Sequence, residues 1–152
     1  MTSEQSSGEK SIEERLAVVE AKDEIRELTA RYCHAVVDGD VETIVDLFCS
    51  DGTFRMRKFS ATGHEELRKM YEGGVGNKTH KPFIQNHVIE MDGPGEASGR
   101  CSVEIRVFQD GEALTAAGHY LDKYRLEGGR WLFAERFFNS YHLAPWSTGW
   151  TK

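Results

Sequence analysis

Three short turn signals, "MDGPGEA", "QDG" and "LEGGR", cut the second half of the chain into four strand-like runs near residues 82–91, 98–109, 112–126 and 130–142. Each combines glycine with an acidic or polar residue, which accepts the tight backbone angles of a hairpin. Strands joined this way lie side by side as an antiparallel sheet, and such a sheet needs an apolar layer against one face. The first half of the chain supplies that layer. Ser11 and Glu14 fit a capping box, and Ile12, Leu16, Val19, Ile25, Leu28, Tyr32 and Val36 recur at helical spacing, with a kink expected near Asp23. "DGD" breaks this helix, Asp40 caps a second one, and "CSDG" reads as the turn that ends it. "TFRMRKF" alternates as a first strand with Phe54 and Met56 on one face. Thr62 and Glu65 form a second capping pair for a helix from near His64 to Tyr71. Helices followed by hairpins predict an α+β domain over residues 11–152, a curved antiparallel sheet wrapped on N-terminal helices, behind a disordered polar tail at 1–10.

Composition narrows the function. A net charge of -6 with no basic run argues against nucleic acid or an acidic membrane surface as a partner. No apolar run approaches the length of a membrane span and no signal-peptide pattern opens the chain, which predicts a cytoplasmic protein. Cys33, Cys49 and Cys101 lack a C-x-x-C pairing, and the histidines lack H-x-H or H-E-x-x-H spacing, so neither a metal nor a cofactor is expected. "GGVGNKT" looks like a phosphate loop, but it follows a helix and leads to a strand, the reverse of the order that phosphate binding needs.

The stretches "RYCHAVVDGDVETIVDLFCSDGTF" and "GHYLDKYRLEGGRWLFAERF", in this order of elements, resemble the nuclear transport factor 2-like superfamily. Within it the likeness is to the SnoaL-like group of polyketide cyclases, scytalone dehydratase, bile acid dehydratase and ketosteroid isomerase. The resemblance implies a cone-shaped α+β barrel with a deep apolar pocket. It places Tyr32 where the isomerase has a tyrosine that donates to the substrate oxygen, and Asp122 where it has a protonated aspartate. That isomerase is a standing example of a carboxylic acid kept neutral by an apolar site. Two positions depart from the pattern: Met56 stands where the isomerase has its base, and Pro82 where the dehydratases have a histidine. His80, two residues earlier, either reaches the pocket mouth or lies in a loop.

Each candidate has a plainer alternative. Tyr32 points into a pocket or is a core tyrosine bonded to a carbonyl. Asp122 is a neutral donor or an ion-pair partner of Arg136. Alternation places Arg136, Phe138, Ser140 and His142 on one face of the last strand, which the resemblance turns toward the pocket. Asn86 also points inward, as a substrate contact or a strut, and Tyr120 as a cavity phenol or a core tyrosine, and with Phe54 and Met56 these are the expected substrate contacts. His34 lies about 200° around the helix from Tyr32 and belongs to the surface. The odd face of the last strand, Trp131, Phe133, Phe137 and Tyr141, is too aromatic for water, which predicts a homodimer or homotrimer. The resulting expectation is a cofactor-free lyase or isomerase, of dehydratase or cyclase type, acting by proton transfer on a hydrophobic cyclic carbonyl or phenolic compound such as a steroid or polyketide. Tyr32 and Asp122 would polarise the oxygen, and His80 or His142 would carry the proton. The alternatives are a non-catalytic binding or assembly module and a dioxygenase small-subunit-like protein.

Overall fold

The computed structural model describes residues 8–77 and 79–149. All but residues 8–10 of the tail expected at 1–10, and Trp150 near the C-terminus, lie outside them. Helix α1 (Ile12–Asp38) starts on the expected capping box: Ser11 Oγ accepts from the Glu14 amide at 3.1 Å and Glu14 accepts from the Ser11 amide at 2.9 Å. It runs without interruption through Asp23. Burial begins at Ile25 and continues through Leu28, Tyr32 and Val36, whereas Ile12, Leu16 and Val19 remain exposed. Gly39 closes the helix at φ 68, a left-handed cap that glycine adopts without a Cβ clash. Asp40 then accepts from the Thr43 amide at 3.1 Å and starts α2 (Val41–Asp46).

The six strands are β1 (Phe48–Met56), β2 (Phe59–Thr62), β3 (His80–Gly93), β4 (Glu96–Gln109), β5 (Glu112–Glu127) and β6 (Arg130–Pro145), with α3 (Gly63–Gly74) between β2 and β3. They form one curled sheet in the order β2-β1-β6-β5-β4-β3. The three expected hairpins of β3 to β6 are present and antiparallel, but β1 joins β6 in parallel, so the sheet is mixed rather than wholly antiparallel. "CSDG" is not a turn. It is an irregular start of β1, packed so tightly that a Cβ on Gly52 would stand 2.9 Å from the Cys49 and Phe133 carbonyl oxygens. Thr62 does cap α3 by position, but its hydroxyl bonds Thr53 at 2.9 Å, and Glu66 rather than Glu65 accepts from the Thr62 amide, at 2.8 Å.

Bulges decide which side chains reach the concave face. The β3–β4 register shifts between Gln85 and Val88, where Asn86 adopts φ 52. The extra residue turns Asn86 out to solvent and carries His87 into the half-buried position that strict alternation assigns to Asn86. A second shift, between Lys123 and Tyr124 opposite β6, leaves Ala134 unpaired. Trp131 and Phe133 therefore face the core together with Arg136, while Phe137 and Tyr141 face outward, so the odd aromatic face expected of β6 is divided between the two sides. Phe83, Val88, Leu121 and Tyr141 remain exposed on the sheet. No helix among the described residues is long and apolar enough to cross a membrane.

The left-handed backbone at Asn86 is inexpensive for asparagine or glycine and costs a β-branched residue roughly 1–2 kcal/mol. Asn86→Val is therefore expected to lower the urea unfolding free energy by about that amount, and Asn86→Gly to leave both stability and ligand binding near wild type. Loss of binding in the glycine variant would restore Asn86 as a substrate contact.

Candidate functional site

The curled sheet, α1 and α3 enclose a cavity of about 180 Å³. Tyr32 and Val36 reach it from one face of α1, four residues apart, so a single turn of helix sets both. Phe54 and Met56 enter from alternate positions of β1, and Met70, Tyr71 and Gly74, with Val75 beyond them, from α3 and its end. His80 and Pro82 on β3, Ile105 on β4, Tyr120 on β5 and Phe138 on β6 complete the lining. Tyr32, Tyr71 and Tyr120 are buried and form its floor, while Met56, Met70, Gly74 and His80 are partly exposed and form its rim. Among the described residues, no Lys, Arg, Asp or Glu lines it.

The tyrosine hydroxyls are its polar floor. Tyr32 and Tyr71 share a hydrogen bond of 2.9 Å. A hydroxyl carries one proton, so the pair uses one of its two protons internally and keeps the other for a ligand. Burial pushes Tyr32 up to about 12, opposed by the Arg136 charge and the Tyr71 hydrogen bond, and pushes Tyr71 well above its ordinary value. Either hydroxyl can donate in this bond; with Tyr71 as the donor, the Tyr32 proton is the one left for the cavity.

Behind this floor lies a buried ion pair. Asp122 and Arg136 stand opposite each other on β5 and β6, with Nε and Nη2 of the guanidinium donating to Oδ1 and Oδ2, each at 2.9 Å. Tyr124 donates to the same carboxylate at 3.0 Å and exchanges a 3.1 Å hydrogen bond with His87. Both Asp122 oxygens are acceptors, so of the two sequence readings the ion pair holds and the neutral donor does not. Burial pulls the Arg136 guanidinium down and the facing carboxylate more than offsets it, leaving it well above its ordinary value. Its carbon lies 3.8 Å from the Tyr120 ring centroid and 4.3 Å from those of Tyr32 and Phe133, and Nη1 is buried without a hydrogen-bond partner among the described residues. The rings supply that edge with quadrupole attraction in place of an acceptor.

His80 holds a defined tautomer. Thr79 Oγ1 gives its single proton to Asn77 Oδ1 at 2.8 Å, so at 3.2 Å from His80 Nδ1 it can only accept. Nδ1 therefore carries the hydrogen and Nε2 the lone pair. Burial holds this imidazole below its ordinary 6.5, so it is neutral at neutral pH.

Of the residues singled out in the sequence, the structure brings Tyr32, Phe54, Met56, His80, Tyr120 and Phe138 together at the cavity. Asp122 and Arg136 are sealed behind it, Asn86 is on the solvent side of its bulge, and His142 stands opposite Ala117 past a further register shift, away from the lining. Sequence reasoning missed Tyr71 as a partner of Tyr32, although one α3 face carries Leu67, Met70 and Tyr71, and missed His87, whose signal was the asparagine before it. Cys49, Asp51 and Glu127 also cluster, but Arg125 already bonds Asp51 at 3.0 Å and Glu127 at 2.9 Å.

Removing one partner of a buried ion pair strands the other, which costs about 3–5 kcal/mol. Asp122→Ala and Arg136→Ala are each expected to lose stability on that scale in urea unfolding, and the double variant Asp122→Leu/Arg136→Met to lose distinctly less than either. Additive losses in a full cycle would show that the two residues act independently.

No curated protein sequence matches the chain. The structure superposes on a protein from Novosphingobium aromaticivorans proposed to be a scytalone dehydratase, with TM-score 0.76, 22% identity and coverage of 84% of this chain and 88% of that one. It is also similar to hexachlorocyclohexane dehydrochlorinase LinA-type3 from Novosphingobium barchaimii (TM-score 0.78, 14% identity, 86% and 93% coverage). A third likeness is to an NTF2-like protein with a cystatin-like fold from Novosphingobium aromaticivorans (TM-score 0.71, 22% identity, 86% and 90% coverage). These likenesses show the nuclear transport factor 2-like fold. The SnoaL-like domain model matches residues 17–137, and the chain belongs to that family.

Proposed function

We propose that the cavity catalyses a cofactor-free proton transfer on an apolar cyclic carbonyl compound, either an isomerisation or an elimination in which a hydroxyl beta to the carbonyl leaves as water. The observation that carries this reading is the meeting, on one uncharged apolar cavity, of a tyrosine hydroxyl pair and a neutral imidazole whose Nε2 is free to accept. Tyr32 donates to the substrate oxygen and stabilises the enolate charge that forms there. His80 Nε2 takes the proton from the adjacent carbon and returns it to another carbon or to a departing oxygen. One oxyanion donor in a dry site contributes about 2.7–4 kcal/mol, and a positioned base roughly 10²–10⁴-fold in rate. The Arg136 charge behind the Tyr32 ring favours the same build-up of negative charge, although Arg136 touches no substrate. Two of the structural neighbours, a hexachlorocyclohexane dehydrochlorinase and a protein proposed to be a scytalone dehydratase, are named for eliminations, which fits this chemistry. The exposed Phe83, Val88, Leu121 and Tyr141 support a homo-oligomer that covers them.

The direct test is deuterium wash-in from D₂O into cyclohex-2-enone, followed by NMR. Wild type is expected to accelerate exchange over buffer, and Tyr32→Phe and His80→Gln each to lose roughly 10²-fold or more of it. No acceleration by wild type, or full activity in Tyr32→Phe, would sink the reading. The same assay has a pH dependence of known sign. Because burial lowers the His80 pKa from 6.5, the rate is expected to be on its plateau at neutral pH and to fall as the pH drops below 6.5. Stability falls over the same acid range, since the unfolded chain binds protons at His80 and His87 before the folded one does.

A further inference from the structure

We infer that the substrate is an uncharged compound built on a single six-membered ring. This rests on the proton-transfer reading above and adds the size and charge class of what the site takes. The cavity measures about 180 Å³. An apolar cavity of about 150 Å³ holds one benzene, whereas pockets for drug-sized ligands run from about 300 Å³ upward. One ring with short substituents fills the space, and the four fused rings of a steroid do not enter it. The walls leave little to adjust: Phe54, Pro82, Ile105 and Phe138 sit on hydrogen-bonded strands, and of the lining only Met56 and Met70 have the flexible side chains that repack readily.

Charge is excluded on separate grounds. With no Lys, Arg, Asp or Glu on the lining among the described residues, an ionic substituent would leave water without a partner there. The nearest buried charges, Arg136 and Asp122, are engaged with each other through two hydrogen bonds of 2.9 Å. The polar groups of the lining are the floor hydroxyls of Tyr32, Tyr71 and Tyr120 and the rim imidazole of His80, so the ring's oxygen belongs at the floor and its labile hydrogen toward the rim.

Gly74 provides a clean steric handle. It lines the rim from within α3, and a Cβ built on it meets no atom within 4 Å. A side chain added there starts in open space, and in a helix a residue with a Cβ is also favoured over glycine.

The experiment is calorimetric titration of 4-nitrophenol, 2-naphthol, 17β-estradiol and 4-nitrobenzoate, with 4-nitrophenol held below its own ionisation, against wild type, Gly74→Leu and Tyr32→Phe. Wild type is expected to bind 4-nitrophenol at least 10-fold more tightly than 2-naphthol or 4-nitrobenzoate and not to bind estradiol. Gly74→Leu is expected to weaken 4-nitrophenol at least 10-fold while its denaturation midpoint stays equal or rises. Estradiol, naphthol or nitrobenzoate binding as tightly as 4-nitrophenol, or no binding of 4-nitrophenol, would overturn the size and charge class. Failure of the two readings is distinguishable. Estradiol binding that depends on Tyr32 removes the size class and leaves the chemistry, whereas tight 4-nitrophenol binding without deuterium wash-in removes the chemistry and leaves the size class.

Discussion

The Asp122–Arg136 pair is the constraint on which the other buried parts of the structure depend. A guanidinium at 0% exposure has given up its hydration, and a single acceptor would not replace it. Here two parallel N–H bonds fix its plane against Asp122, and three aromatic rings close over it at 3.8 to 4.3 Å. Those rings come from α1, β5 and β6, so satisfying one cation sets the depth of the long helix against the sheet and the register between the two longest strands. Tyr124 adds a third hydrogen bond to the carboxylate and ties β3 to the same group through His87.

The reactive face follows from that packing. Tyr32 is stacked on the guanidinium from one side and opens on the cavity from the other, so its hydroxyl direction is not free to vary. Tyr71 holds it from α3, the element that also carries the rim residues Met70 and Gly74. The charge is kept one ring away from the ligand. This keeps ionic groups off the described lining while a positive potential still reaches the oxygen that Tyr32 would polarise, in surroundings where electrostatic effects are less screened than in water.

Much of this was legible in the sequence, and the illegible parts share a cause. Element order, the capping box at Ser11, the Asp40 cap and three of the turns follow from local chemistry, which a short window of residues contains. Period assigns the faces of Tyr32, Phe54 and Met56, and the family resemblance is what marked Tyr32 as a pocket residue. Asn86 was misplaced because alternation holds only until a bulge, and a bulge depends on pairing with a strand distant in sequence. Trp131 and Phe133 were misassigned for the same reason, since the unpaired Ala134 reverses the phase of β6. The parallel β1–β6 pairing joins residues some 80 positions apart, Arg55 with Phe137 among them, and no local pattern encodes it. The Tyr32–Tyr71 bond is likewise a contact between elements, 39 residues apart.

The fate of Asp122 shows how far a family pattern reaches. A carboxyl at this point can serve as a neutral donor only where nothing cationic faces it, and the residue that decides this is its partner across the strand. With Arg136 there, both carboxylate oxygens accept hydrogen bonds from the wall and neither faces the ligand. Under the proposed chemistry, the oxygen-polarising task falls to a single phenol backed by a charge, instead of to two neutral donors. Such a site stabilises an oxyanion less by hydrogen bonding and more by potential. It also restricts what can bind: the guanidinium is committed to Asp122 and cannot meet a ligand's anion, so a compound arriving already ionised gains nothing, and one that becomes ionised during reaction gains most.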